Sequence, residues 1–428
     1  MRVLLTGATG LIGSATATQL LAEGHEVVGV GRRAGPPRTG MRWVELDMRS
    51  AGRPEHWLPH LAGVDAVINC AGVLQDNASD STEAAHASGP AALFAACEKA
   101  GIRRVVHLSA IGVDHETPTE FSRTKAQGDK ALMARGVDWV ILRPSVVVGR
   151  GAYGGSALLR GLASLPIVPR VPDAGKLQIV QLDDLVATIL WFLRPDAPGR
   201  VQLEVAGPHP LAFDDVVAAY RRWLGWEPGR QVRVPRWLMS AMYRLGDFVG
   251  WLGWRAPIRS TARREILRGA VGDPGPWTSM TGIAPRSLEA SLAAEPATVQ
   301  EKWFARLYLL KPIVLGVFSL FWIATAFMSL GPGWEIGIRL MHEGGVTGIA
   351  APLTVIAGAL ADLCIGIGIA FRRTGRPALY AALILSLVYV VIGTILVPRL
   401  WTDPLGPMLK IWPVLALNLV ALAILEDR

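Results

Sequence analysis

Cysteines and charged residues are scarce in this sequence of 428 residues. The three cysteines, Cys70, Cys97 and Cys364, show neither metal-ligand nor redox spacing, so we expect reduced thiols in the core. Charged residues make up 18% of the chain and hydrophobic residues 51%, which is unusual for a soluble protein. The composition therefore argues against a disulfide-stabilised domain and directs attention to the apolar segments.

Uncharged apolar segments are concentrated after Pro312. Three of them have the roughly 20 residues needed to cross a bilayer. Asp362 is the only charge in these three, and a fourth, shorter segment is extended back to Met408. Four such segments in succession predict an all-α transmembrane four-helix bundle in a membrane domain at 301–428. The predicted spans are 312–330, 350–371, 378–397 and 408–425.

A glycine-rich turn follows the first apolar run of the chain. Thr6–Gly13 reads Thr-Gly-Ala-Thr-Gly-Leu-Ile-Gly and leads into the helix-like stretch Ser14–Ala22. Glycine lets the backbone approach a pyrophosphate, which the first amides of the helix then face. The alternative is an ordinary structural turn, but a second strand-like run at the expected distance favours nucleotide binding. The residues of this predicted site are Gly7, Thr9, Gly10, Leu11, Ile12 and Gly13.

Short apolar runs alternate with helical patterns over residues 1–145. This alternation predicts an α/β doubly wound parallel sheet. The predicted strands are Val3–Thr6, Glu26–Val30, Trp43–Leu46, Asp65–Cys70, Arg103–Leu108 and Trp139–Leu142, and the main predicted helices are Leu11–Ala22 and Ala84–Ala100. We predict a nucleotide-binding domain at 1–220, which includes part of a smaller substrate-side lobe, and a basic, Trp-rich helical lobe at 221–300.

Several motifs in this region resemble those of the extended and atypical short-chain dehydrogenase/reductases, in the same order. After the glycine turn come Asp47, Asn69-Cys70-Ala71-Gly72, Ser109, Leu142–Gly149 and Gln178–Leu185. The resemblance implies a Rossmann sheet and cofactor contacts from Asp47, Met48, Cys70, Ala71, Gly72, Ser109, Lys125 and Pro144. Within this family, the chain resembles the subgroup that includes the NAD(P)H-binding accessory subunit of respiratory complex I and NmrA-like proteins.

The C-terminal segment carries a second resemblance. Trp401–Pro407 and Lys410 resemble the DoxX-like membrane family. The chain as a whole is therefore similar to bacterial proteins that fuse the two modules.

Arg32 stands at the end of the second predicted strand. Sites that prefer NAD usually place an acidic residue there, to bind the ribose hydroxyls. A guanidinium instead suits a 2′-phosphate through charged hydrogen bonds. We therefore expect NADP(H) to be preferred and NAD(H) to remain an alternative, unless Arg32 is a solvated surface residue.

The expected catalytic tyrosine is absent. The resemblance implies a Tyr four residues before Lys125 as general acid/base, with Ser109 orienting the substrate oxygen, but the chain has Phe121 at that position. No Tyr precedes a Lys by four residues anywhere in the sequence. Reduction by the usual triad is therefore doubtful, although Ser122 or His107 could substitute as the acid.

Polar residues within the membrane domain allow two interpretations. Asp362 lies near the middle of a predicted span, where a carboxylate is costly and usually faces a bundle interior. It is either a proton- or quinone-handling site or a structural residue bonded to Asn418 or to backbone. Glu335, His342 and Glu343 lack convincing metal-ligand spacing, so we predict no metal site.

Arginine and tryptophan are concentrated just before the predicted spans. Residues 221–268 contain eleven arginines, together with Trp223, Trp226, Trp237, Trp251 and Trp254. This composition suits an anionic lipid surface rather than a nucleic acid. A helical lobe with a solvated Arg face and a Trp core explains it equally well.

The distribution of basic residues predicts the topology. No signal peptide precedes the first strand, and Lys and Arg are enriched before the first span and between the second and third. We expect four spans in a bacterial inner membrane, with the nucleotide-binding domain and both termini in the cytoplasm.

Two functions remain open at this stage. One is a structural or regulatory NAD(P)H-binding role in a membrane or quinone-linked system, with membrane lipid and respiratory components as partners. The other is a reductase or isomerase that acts on a lipid-like or quinone substrate. Phe121 favours the first, and the retained Ser109 and Lys125 favour the second.

Overall fold

The structure is a computed structural model that describes residues 1–77, 80–115, 119–171 and 173–425. The chain forms two compact units. The first consists of Met1–Phe248 and Ala256–Ala305, and the second of Val249–Arg255 and Arg306–Arg428.

Eleven strands are found in the described residues, all in the first unit. They are β1 (Arg2–Thr6), β2 (Glu26–Gly31), β3 (Met41–Glu45), β4 (Ala66–Asn69), β5 (Arg104–Leu108), β6 (Asp138–Pro144), β7 (Val146–Val148), β8 (Ile167–Arg170), β9 (Ile179–Gln181), β10 (Val201–Val205) and β11 (Arg230–Arg233). Seven of them form one parallel sheet in the order β10-β6-β5-β4-β1-β2-β3. This order confirms the predicted doubly wound fold.

Ten α-helices of the first unit, counted in the described residues, lie between some of these strands or after the last one. They are α1 (Leu11–Ala22), α2 (Gly89–Lys99), α3 (Glu120–Met133), α4 (Gly155–Ala163), α5 (Leu182–Trp191), α6 (Phe213–Trp223), α7 (Arg236–Trp251), α8 (Ser260–Arg268), α9 (Gly275–Thr281) and α10 (Leu288–Ala294). The helix predicted at 84–100 is α2, preceded by a π-helical turn at Ala84–Ser88.

Both faces of the large sheet are buried. Val3 and Leu5 on β1 belong to the core on one face, with Leu20 of α1, whereas Leu4 belongs to the core on the other face, with Phe94 of α2. Successive side chains of a strand point to opposite faces, so a central strand buried on both sides reads as a continuous apolar run.

Two small sheets lie outside the large one. β7 pairs with β9, and β8 pairs with β11, both in parallel. They occur in the region where the sequence alternates least clearly between strand and helix patterns, and neither was predicted.

The second unit contains the apolar helices α11 (Val299–Leu330, whose first residues belong to the first unit), α12 (Trp334–Glu343), α13 (Ala350–Ala370), α14 (Gly375–Leu396) and α15 (Ile411–Ile424). Among the described residues, α11, α13 and α14 are long and apolar enough to cross a membrane. The predicted first span, 312–330, is part of the longer helix α11, which has Pro312 inside it. The predicted fourth span is the shorter α15, which begins three residues after Met408.

Asp362 is buried inside the helical bundle. Its carboxylate accepts a hydrogen bond from the Tyr389 hydroxyl at 2.9 Å. Asn418 instead donates its amide to the Leu379 carbonyl at 3.2 Å. The predicted pairing of Asp362 with Asn418 is therefore wrong, because Tyr389 on the neighbouring helix α14 supplies the donor.

Candidate functional site

The predicted cofactor-binding residues are spread over more than 130 positions of the sequence but meet at one edge of the sheet. They follow the ends of β1, β2, β3, β4 and β5, and Pro144 is the last residue of β6. Parallel strands place all their carboxyl ends on the same edge, where ligands of open α/β sheets bind. Lys125 joins them from α3.

The glycine turn is closely packed at its start. Gly7 has φ of +64°, and a Cβ there would lie 2.8 Å from the backbone nitrogen of Ala71. A Cβ on Gly13 would lie only 2.2 Å from the Gly7 carbonyl oxygen. Both positions therefore require glycine, as the motif predicts.

The first turn of α1 is open to an anion. It contains no acidic residue, and no side chain caps the helix at Gly10. Its terminal amides are therefore available to a pyrophosphate, which the helix dipole also favours. The residues present fit a dinucleotide here. Thr9 lies within the glycine turn, and Leu11 and Ile12 begin α1.

Arg32 lies just beyond β2 and is held by Asp80. One guanidinium nitrogen donates to the Asp80 carboxylate at 2.7 Å. The Asp80 side chain is buried, whereas 43% of the Arg32 side chain stays exposed. The pair fixes the guanidinium near the strand end and leaves part of it accessible to a ligand. Asp80 was not foreseen, because it lies 48 residues away along the chain.

Asp47 and Met48 follow β3. The Asp47 carboxylate accepts hydrogen bonds from the Arg49 side chain at 2.6 and 3.0 Å. These bonds, more than any other influence, lower the pKa of Asp47. The carboxylate is therefore ionised at neutral pH and remains an acceptor for the adenine side of a cofactor.

Lys125 is buried beside the loop that follows β4. Its ammonium donates to the Leu108 carbonyl at 2.7 Å, and a Cβ on Gly72 would lie 3.4 Å from its Nζ. Burial lowers the pKa of Lys125 to about 8, and it raises the pKa of the adjacent Cys70 thiol to about 12. Cys70 is thus a neutral thiol, and Lys125 is close to its titration point.

Ser109 follows β5, with its backbone nitrogen bonded to the Leu142 carbonyl at 2.8 Å. Its hydroxyl is buried near Asp129 but makes no well-aligned hydrogen bond within the described residues. A buried hydroxyl without such a bond can still accept or donate one to a ligand.

Phe121 lies on α3 one turn before Lys125, where the phenol was expected. The His86 ring packs edge-on against it at 5.4 Å between centroids. Nε2 of His86 accepts from the Val73 backbone at 3.0 Å, and Nδ1 lies 2.9 Å from the Thr124 hydroxyl. Burial lowers the pKa of His86 well below its usual value, so it is a neutral ring with both nitrogens engaged.

The two substitute acids considered from the sequence are both engaged elsewhere. Ser122 is fully buried and forms a capping box with Thr119 at the start of α3. His107 is fully buried on β5, and burial lowers its pKa. These environments argue against either side chain delivering a proton to a substrate.

His107 belongs to a buried polar network beneath the site. Thr6 donates to Asn69 at 2.5 Å, and the Asn69 amide lies 2.9 Å from Nδ1 of His107. Nε2 of His107 faces the Asp129 carboxylate at 3.4 Å, and Arg143 donates to the same carboxylate at 3.1 and 3.2 Å. Burial alone would raise the pKa of Asp129, but these partners hold it low.

The network links β1, β4, β5, β6 and α3 next to the sheet edge where the predicted cofactor-binding residues meet. Sequence reasoning missed it because partners bonded to each other lie up to 63 residues apart along the chain. The only local signal was the spacing of Lys125 and Asp129, which places both on one face of α3.

These features define a dinucleotide-binding domain of the Rossmann class. The NAD dependent epimerase/dehydratase family matches residues 3–165, and the DoxX-like family matches residues 319–419. The chain thus has an N-terminal NAD-binding domain of the epimerase and short-chain dehydrogenase type and a C-terminal DoxX-like domain. This combination confirms the predicted one.

Several known proteins are similar to parts of the chain. Sterol demethylase protein B of Methylococcus capsulatus is 26% identical, covering 71% of this chain and 99% of that protein. Ceramide reductase of Caulobacter vibrioides is 23% identical, covering 54% and 73%. A mitochondrial NADH dehydrogenase [ubiquinone] 1 alpha subcomplex subunit 9 of Dictyostelium discoideum is 27% identical, covering 27% and 32%.

The chain matches only a small part of some longer relatives. An uncharacterized Mycobacterium tuberculosis protein is 27% identical over 223 residues, yet the chain spans only 23% of that protein's length. Among solved structures, MoeE5 in complex with UDP-glucuronic acid and NAD has a TM-score of 0.54 at 20% identity, covering 72% of this chain and 99% of that one. That likeness shows the fold.

Proposed function

We propose that the N-terminal domain binds an NAD(P) dinucleotide in a structural or regulatory role, in a protein anchored in a membrane. The cofactor, when bound, supplies a hydride donor or acceptor, but the chain lacks the usual tyrosine that moves the accompanying proton. The likeness to the complex I subunit supports a role in a membrane or quinone-linked system.

The observation that carries this proposal is the environment of Phe121. Phe121 has no proton to donate, and His86 beside it is neutral with both ring nitrogens engaged. Ser122 and His107 are fully buried in other contacts. The other predicted cofactor-binding residues lie at one edge of the sheet, which supports binding of a dinucleotide without the expected acid.

The test is to purify the full chain in detergent and titrate it with NADPH and NADH by fluorescence. Absorbance is then followed after addition of a short-chain ubiquinone analogue. Binding without oxidation is expected. Turnover that disappears in Lys125→Ala, but not in the exposed control Lys130→Ala on the same helix, would overturn the proposal.

The second candidate is an active NAD(P)H-dependent reductase or isomerase acting on a lipid-like or quinone substrate. Lys125, with its pKa near 8 and its place beside Ser109, is the observation that favours it. The names of the sterol and ceramide relatives support a lipid substrate. Oxidation of NADPH that depends on such a substrate and on Lys125 would select this function.

Within either function NADP(H) is the preferred cofactor. Arg32, held by Asp80 and partly exposed, supports recognition of a 2′-phosphate. NAD(H) remains the alternative, because the matching family and the MoeE5 structure are named for NAD.

The same proposal includes four spans in a bacterial inner membrane, with the nucleotide-binding domain and both termini in the cytoplasm. The positions of Lys and Arg around α11, α13 and α14 support this orientation.

A further inference from the structure

Helix α7 exposes a broad apolar face. Along it, 72% of Trp237, 62% of Leu245, 54% of Phe248 and 69% of Trp251 are exposed. At 100° per residue these side chains fall on one side of the helix, together with Leu238 and Met242. Exposure of this size excludes the interpretation that these tryptophans form a core, and a contiguous apolar patch marks an interaction surface.

The opposite side of α7 is fixed to the protein. Tyr243 is buried, and a Cβ on Gly246 would overlap the Ile258 carbonyl. The Asp247 carboxylate accepts hydrogen bonds from the backbone and hydroxyl of Ser260. The helix is therefore held in one rotation, and its apolar face stays turned outward.

The surroundings of this face are strongly basic. Residues 230–264 contain eight arginines and a single acidic residue, Asp247. Arg244 lies within the apolar face by helical spacing, and Arg236 begins the helix. A surface that is both apolar and cationic matches an anionic bilayer, whose acyl chains and headgroups satisfy both features.

The C-terminal end of α7 lies at the end of a membrane helix. Val249–Arg255 belongs to the second unit, where the Leu252 carbonyl accepts from the Arg372 backbone at 3.1 Å. Trp254 donates its indole N–H to the Ala370 carbonyl at 2.7 Å. Ala370 is the last residue of α13, a helix long and apolar enough to cross a membrane, and tryptophan is enriched where such helices meet the headgroups.

We propose that α7 is an interfacial helix that docks on an anionic lipid surface through its exposed apolar face. Trp237, Leu245 and Trp251 enter the acyl-chain boundary, and the arginines bind lipid phosphates. This inference concerns the anchoring of the helix and does not depend on whether the cofactor site is catalytic.

The experiment uses the full chain in proteoliposomes with a fluorescent bimane attached at Leu245→Cys. The background is Cys364→Ala, because Cys364 is exposed; Cys97 is buried, Cys70 is half-buried, and burial raises the pKa of both thiols to about 12, which slows their alkylation. The same background without an added cysteine gives the residual labelling, which is subtracted. Lys130→Cys, on the exposed side of α3, is the matched control. A nitroxide near the top of the acyl chains should quench the Leu245 label several-fold more than the control label.

A second comparison tests the lipid charge. Quenching at Leu245→Cys should rise when phosphatidylglycerol is added to phosphatidylcholine vesicles, and the rise should shrink when Arg236→Gln and Arg244→Gln are introduced together. Equal quenching at the two labels would overturn the proposal. The proposal would also be overturned if the Leu245 label were protected from iodide but not quenched by the lipid nitroxide, and if this protection increased with the density of protein in the vesicles. That result would show that a second copy of the chain covers the face.

Discussion

Phe121 and Lys125 lie one helical turn apart on α3, near the sheet edge where the predicted cofactor-binding residues meet. The resemblance to short-chain dehydrogenase/reductases implies a tyrosine and a lysine in these two positions. The sequence predicted this pair, and the structure adds the neutral His86 ring against Phe121. Phe121 is thus the one departure from the Ser, Tyr and Lys that the resemblance implies.

Phe121→Tyr tests this directly. The phenol would lie one turn from a lysine whose pKa is about 8, which is suited to stabilise a phenolate. General acid/base groups contribute roughly a hundredfold or more, so NADPH oxidation with the ubiquinone analogue should rise by about that factor. Phe121→Leu should stay at the basal rate, and equal rates in the two variants would show that more than the acid is missing.

Arg32 is the residue on which the cofactor preference rests. Arg32→Glu should weaken NADPH binding by about tenfold to a hundredfold, since a hydrogen bond between charged groups is worth about 1.5–3 kcal/mol. NADH binding should change far less. Arg38→Glu, an exposed control in the same loop, should affect neither, and equal losses for both cofactors in Arg32→Glu would contradict the assignment.

Lys125 also gives a pH dependence of stability. Its folded-state pKa of about 8 lies below the ordinary 10.5, so the buried charge costs about 3 kcal/mol at pH below 8. This penalty decreases as pH rises from 8 to 10.5, because the unfolded chain then binds more protons than the folded one.

Lys125→Met should therefore unfold at a higher temperature than the parent at pH 7, and the difference should shrink toward pH 10. Tryptophan fluorescence can follow unfolding in both proteins, with exposed Lys130→Met as the control. A difference that does not change with pH would show that Lys125 is not buried in its charged form.

At the scale of elements, the glycine turn between β1 and α1 is the feature that sequence predicts best. The turn residues, the six predicted strands and α1 are found within a few residues of their predicted bounds. The reason is physical: a buried central strand reads as an apolar run, and a turn that admits no Cβ must be glycine.

Gly13→Ala should disrupt this turn, because its new methyl would overlap the Gly7 carbonyl. Overpacking typically costs about 1–3 kcal/mol, so NADPH affinity should fall by about tenfold or more. Gly52→Ala, where a Cβ meets nothing within 4 Å, is the control. Unchanged binding in Gly13→Ala would mean that the dinucleotide does not use this turn.

Other elements could not be predicted because their causes are non-local. β10 is stabilised by pairing with β6, some 60 residues earlier. In α11, Pro312 was taken as the start of a span, whereas the helix begins at Val299 and continues through the proline. Apolar helices tolerate such a proline when neighbouring helices compensate for the lost hydrogen bond.

At the scale of the whole molecule, the number of spans decides the position of the C-terminus. In the part of the chain that the structure describes, three helices are long and apolar enough to cross a bilayer, and α15 has only 14 residues. The proposed topology of four spans, together with the distribution of Lys and Arg, predicts a C-terminus in the cytoplasm.

A reporter fused to the C-terminus should therefore show cytoplasmic activity, and a reporter fused after Gly345, between α12 and α13, should show a periplasmic location. If the C-terminal reporter is also periplasmic, α15 does not cross the membrane and the protein has three spans.

The buried network from Thr6 through Asn69 and His107 to Asp129 and Arg143 has a consequence for ligand binding. Buried side chains of four strands and α3 are joined by these polar contacts, so we expect the strand ends to stay in place whether or not a ligand is bound. A preorganised pocket loses little conformational entropy on binding. If the domain binds a dinucleotide as proposed, we therefore expect recognition to be set by the shape and charge of a preformed pocket rather than by folding of the chain around the ligand.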